Sequence, residues 1–195
     1  MRVALLCDIG HSVYHVGNEA TAIASAAQLR KRGHEVVMIS HDERPEAVDP
    51  AAAATTEIIP ALNFPTSLDQ RDGYLTDIRK VLAGNAVALP SSDQLFALMG
   101  QLRDVDALVL GGGTLDNDHG PQLFERLATA LVAAQLDVPV IMGAHSLGPS
   151  LLLTDRALLR ELLTLCALVG VRDDDSLHLA AELCPDHQGI VRVPD

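Results

Sequence analysis

Arg2-Val3-Ala4-Leu5-Leu6-Cys7-Asp8, a glycine-punctuated loop from Ile9 to Gly17, Asn18 to Arg32, and His34-Glu35-Val36-Val37-Met38-Ile39-Ser40 together decide the fold. The first and last segments are short, near-continuous aliphatic runs, the pattern of strands buried on both faces. Between them, Asn18 is suited to cap a helix, alanine is abundant, and Lys31, Arg32 and Gly33 form a helix end. Strand, helix and strand in this order require parallel pairing through a right-handed crossover.

The rhythm loosens after Ser40 and then returns. Pro45 to Thr56 reads as an Ala-rich loop or short helix, and Thr56 to Leu62 as a third strand. Leu68 to Ala83 and Ser91 to Arg103 read as helices. Asp106 to Leu110 is a strand ending in Gly111-Gly112-Gly113, followed by a helix from Pro121 to Gln135 and a strand from Val138 to Gly143. A helix from Asp155 to Cys166 behind a Thr154 cap, a strand from Ala167 to Val171, a helix from Asp174 to Leu183 and a strand from Gly189 to Val193 complete the chain. The predicted class is α/β: a Rossmann-like, doubly wound parallel sheet flanked by helices, in a single domain over residues 1–195.

Composition narrows the function. The 195 residues carry 14 Lys plus Arg against 26 Asp plus Glu, a formal net charge of −12. That balance excludes coating of nucleic acid and disfavours anionic lipid. Aromatic residues are 3% and Trp is absent, so the core must be aliphatic. No apolar run approaches the ~20 residues of a membrane helix. Cys7, Cys166 and Cys184 form no paired framework and read as reduced thiols of a cytoplasmic protein. Mean hydropathy is +0.21, high for such a domain, and suggests an apolar face that something else covers.

In an open parallel sheet, ligands bind outside the carboxyl ends of the strands. The loops expected there run from Asp8 to Glu19, Gly111 to Gly120, Gly143 to Pro149 and Arg172 to Ser176, and hold four of the eight histidines: His11, His15, His119 and His145. Gly10 and Gly17 are seven apart and no Gly-Lys-Ser/Thr occurs, so neither the dinucleotide fingerprint nor a P-loop is present. His11 and His15 with Asp116 or Asp118 match no ligand spacing, and no metal is expected. Asn18 reads equally as a helix cap or a site residue, and Gly111 to Gly113 as a tight strand exit or a close approach to a ligand. Arg172 reads equally as a carboxylate or phosphate contact or as an ion pair with Asp173 to Asp175.

Taken in order, the loops resemble the polysaccharide pyruvyl transferase family. The stretch His15-Val16-Gly17-Asn18-Glu19-Ala20 is similar to that family's Asn-x-Gly-Asp-Glu-Ala, with His15 and Asn18 departing from it. Gly111-Gly112-Gly113-Thr114-Leu115 with Asp118, Gly148-Pro149, Arg172-Asp173-Asp174-Asp175-Ser176 and Pro194-Asp195 resemble its later motifs. The resemblance implies one half of a GT-B-like architecture, with Asp195 at the boundary and the other half absent. It implies transfer of a pyruvyl group from phosphoenolpyruvate, the donor substrate, to a sugar of a cell-surface glycan or its precursor, with no separate cofactor. Glu19, Asp118, His119 and His145 become candidates for the general base. His15, Gly17, Asn18, Gly111, Gly112, Gly113, Thr114, Gly148 and Arg172 become candidate substrate contacts. A half-architecture also implies an exposed interdomain face through which the chain would form a homo-oligomer. A GT-B glycosyltransferase using a nucleotide-sugar and a non-catalytic glycan- or protein-binding domain are the competing readings.

Overall fold

The structure is a computed structural model and describes residues 1–7, 9, 16–41, 57–116, 121–148 and 150–193. The opening unit is β1 (Arg2–Leu6), α1 (Val16–Lys31) and β2 (Glu35–Ser40), followed by β3 (Ile58–Pro60). Helices α2 (Leu68–Leu82) and α3 (Gln94–Leu102) lead to β4 (Ala107–Leu110), β5 (Gly113–Leu115) and α4 (Gln122–Gln135). The remainder is β6 (Val140–Leu147), α5 (Leu153–Leu165), β7 (Cys166–Val171), α6 (Asp174–Leu183) and β8 (Ile190–Arg192).

All strand pairs are parallel, in the order β3-β2-β1-β4-β6-β7-β8, with β5 also on β6. The order reverses beside β1, which gives the predicted α/β class its switch point. Ile59, Ile39, Leu6, Leu110, Met142 and Val169 follow one another across the strands, and all are buried under α2 to α6. The opposite face is covered unevenly. Leu5 and Met38 pack with Ala22 and Ala26 of α1, but the same row continues through Val109 and Ile141 to Leu168, which is 41% exposed. Among the described residues, the double winding is thus one helix on one face and five on the other.

Several expected boundaries shift. α1 starts at Val16, so Asn18 lies inside its first turn rather than at the cap. α5 starts at Leu153 with Leu152 in the cap position, which leaves Thr154 within the helix. The largest change is in β6, which continues through Gly143, Ala144, His145 and Ser146 where a loop was expected. The cause is β5, which takes up pairing with β6 where β4 leaves off: Leu110 lies beside Met142 and Gly113 beside His145. Gly111 and Gly112 form a step in this nearly continuous line, not the exit from a strand. The three cysteines are buried free thiols, and burial pushes the Cys166 thiol up to about 12. No helix among the described residues is long and apolar enough to cross a membrane.

Candidate functional site

The step between β4 and β5 shows why glycine occurs there. A Cβ on Gly111 would overlap Cys7 Sγ, and one on Gly112 would overlap the Ala144 carbonyl oxygen. A Cβ on Gly148 would overlap the side chain of Asp116. These glycines let the chain approach itself, which explains them without a ligand. Gly17 differs: it is exposed in α1, and a Cβ there would meet nothing within 4 Å among the described residues.

Three of the sequence motifs meet at the carboxyl ends of β5, β6 and β7. Arg172 Nη2 donates to Gly113 O at 3.3 Å, Thr114 Oγ1 at 3.4 Å and Ser146 Oγ at 3.0 Å. The Ser146 hydroxyl donates to Asp173 Oδ2 at 2.8 Å. Asp173 caps α6, its Oδ1 accepting the Ser176 N–H at 2.7 Å, while Ser176 Oγ accepts the Leu147 N–H at 2.8 Å. Hydrogen bonds from the Ser176 hydroxyl and N–H, then from Ser146, with the Arg172 charge, hold the Asp173 carboxyl below the usual range against some desolvation. Arg172 therefore reaches across three strands, and the acidic run beside it is chiefly a helix cap.

Beneath this cluster lies a layer of buried charge. Arg126 of α4 is fully buried, and its Nε donates to His145 Nε2 at 3.1 Å. With Nε2 accepting, the ring proton sits on Nδ1, which donates to Gly143 O at 3.0 Å. His145 is itself wholly buried and lies in β6, which corrects the loop position expected for it, and it holds a guanidinium. Nearby, His41 Nδ1 lies 2.9 Å from Asn63 Oδ1 and Nε2 lies 2.9 Å from Glu125 Oε1, the latter a charge contact without hydrogen-bond alignment. Glu19, in the first turn of α1, is buried, and its Oε2 has no hydrogen-bond partner among the described residues. His15, Asp118 and His119, and the side chain of Asn18, lie outside the described residues.

Beside the motif cluster is a cavity of about 210 Å³ between the start of α2, the end of β5 and the starts of α4 and α5. Its walls include Arg71, Asp116, Phe124 and Asp155. Burial, then the neighbouring Asp72, pushes the Asp155 carboxyl up, and Arg71 opposes them. Sequence reading missed His41, Glu125, Arg126 and Asp155. One signal existed: Glu125-Arg126 interrupts the segment Leu123 to Ala130, apolar but for Thr129, every residue of which is buried. Charges at positions where a helix is buried all round imply internal partners.

A family model of polysaccharide pyruvyl transferases matches residues 15–195. The chain belongs to the polysaccharide pyruvyl transferase family. No curated protein matches it. Among solved structures, it is similar to the organophosphorus hydrolase of Deinococcus radiodurans and that enzyme's R228A variant, each at 14% identity and TM-score 0.35 over 98% of this chain and 62% of the hydrolase. An organophosphate-hydrolysing protein engineered from a weakly promiscuous lactonase matches at the same identity and TM-score, over 98% of this chain and 64% of its own. The chain thus spans less than two thirds of these solved chains. Those values assign it neither their fold nor their hydrolysis.

Proposed function

We propose that this chain is the acceptor-side domain of a pyruvyl transfer reaction. Phosphoenolpyruvate is the donor, and two hydroxyls of a sugar in a cell-surface glycan or its precursor are the acceptor. The observation that carries the reading is the joining of Gly113-Thr114, Ser146 and Arg172-Asp173 into one hydrogen-bonded cluster at the carboxyl edge of the sheet. Family membership supports pyruvyl transfer as the chemistry.

The reaction forms two C–O bonds at the donor's C2 and breaks its bond to the phosphate oxygen. One hydroxyl proton ends on the donor's methylene carbon, making a methyl group, and the other leaves with phosphate. The step needs a base near the acceptor and a cation near the anionic donor. Arg172, half-buried at the edge, suits the cation. Glu19, Asp118 and His119 are the proposed bases, Glu19 on the ground of a buried oxygen with no hydrogen-bond partner among the described residues. His145, the fourth candidate, is buried against Arg126.

The test is phosphate release from phosphoenolpyruvate, with and without a panel of glycosides. Release that requires a glycoside and falls at least about 100-fold in Arg172→Ala supports the reading. Consumption of a nucleotide-sugar without such release overturns it in favour of a glycosyltransferase. Glycan binding with no turnover of either donor overturns it in favour of a binding domain.

A further inference from the structure

Asp155 is 7% exposed, and its Oδ1 has no hydrogen-bond partner among the described residues, yet the residue forms part of a cavity wall. A buried carboxylate oxygen without a donor is costly, and a ligand that brings one relieves the cost. The rest of the wall narrows the ligand. Arg71 commits Nε to Pro65 O at 2.9 Å and Nη2 to Thr66 O at 2.6 Å, with its guanidinium 5.9 Å from the centre of the Phe124 ring. Asp116 adds a second carboxylate beside it. Two acids against one arginine engaged with backbone carbonyls disfavour an anion, including phosphoenolpyruvate. A wall that combines carboxylate acceptors with Phe124 and a half-exposed Leu152 suits a ring carrying both hydroxyls and C–H groups. A volume of about 210 Å³ lies below the ~300–1,000 Å³ of drug-sized ligand sites and fits one such ring.

We propose that the cavity walled by Asp155, Asp116 and Phe124 is a monosaccharide subsite in which Asp155 Oδ1 accepts a hydroxyl hydrogen of the sugar. This rests on the acceptor reading above and assigns that acceptor a place. The 195-residue chain is probed by saturation-transfer NMR with methyl β-galactopyranoside, methyl β-glucopyranoside and methyl β-mannopyranoside, as wild type, Asp155→Leu, Asp155→Asn and Phe124→Leu. At least one glycoside binds the wild type. Its affinity falls ~10-fold or more in Asp155→Leu and Phe124→Leu, while the melting temperature of Asp155→Leu holds or rises, because a binding group has been removed at no cost to folding. Asp155→Asn, which keeps one acceptor oxygen, falls less and covers the case in which the leucine variant does not fold. Undiminished binding in Asp155→Asn and Phe124→Leu overturns the subsite and leaves the acceptor reading intact. Failure of every glycoside to bind the wild type also overturns it, and the transfer reading is then decided separately by the phosphate-release measurement.

Discussion

His145 accepts a hydrogen bond from a guanidinium that has no access to water. Removing that acceptor leaves a buried charge short of a partner, at a cost of roughly 1.5–3 kcal/mol. A chain of this size loses about 2–4 °C per kcal/mol, so His145→Ala should lower the melting temperature by roughly 3–12 °C. Calorimetry checks this, and His145→Gln, whose side-chain oxygen can take the same hydrogen bond, should recover part of the loss. An unchanged melting temperature would show that the His145–Arg126 hydrogen bond adds nothing measurable to stability. Asp173 gives a pH-dependent counterpart. Its folded carboxyl titrates below the unfolded one, so its contribution is present above the unfolded value of about 3.9 and is lost as pH falls through the folded value. Asp173→Ala should therefore cost about 0.5–2 kcal/mol at neutral pH through the lost α6 cap. In thermal melts the gap to the wild type should close as the buffer becomes strongly acidic.

At the scale of elements, the glycines divide into two kinds that look alike in the sequence. Gly112 lets the β4–β5 line lie against β6, and a methyl group there would push on the Ala144 carbonyl. Gly112→Ala should destabilise by about 1–3 kcal/mol or more, read by denaturant unfolding. Gly17 sits in α1 with no described residue near its Cβ position, and Gly17→Ala should leave stability unchanged or raise it by up to about 1 kcal/mol. If Gly17 serves substrate approach, as the motif resemblance implies, the same variant loses turnover while keeping its stability. The positions of α1, α6 and β1 to β2 were legible because capping residues, alanine content and aliphatic runs act locally. β5 and the upper half of β6 were not. Gly-Thr-Leu and Gly-Ala-His-Ser carry weak strand preference, and only their pairing with each other makes them strands.

For the whole molecule, the two faces of the sheet make opposite demands. Met142 lies 1% exposed under the helices, so Met142→Lys buries an unpaired charge and should cost more than about 4 kcal/mol. Leu168 lies in the neighbouring row beside Ile141, beyond the reach of α1, and Leu168→Lys should cost about 1 kcal/mol or less. Circular dichroism during urea unfolding separates the two. Similar losses would mean that the second face is covered as well as the first.

The alternation of strands and helices outside β5 and the upper half of β6, the parallel class of the sheet and the order of the motifs were determined by the sequence alone. The elements follow from patterns among residues close together in the chain, the parallel class follows from their alternation, and the motif order carries the resemblance that the family model bears out. The tertiary structure decided what the motif residues touch. It spends glycines on self-contact, locks His145 onto Arg126 and joins Arg172 to Thr114 and Ser146. It also gathers Arg71, Asp116, Phe124 and Asp155 around one cavity from four separate segments. Burial and partnership at these positions depend on contacts between residues distant in the chain, which no local pattern records.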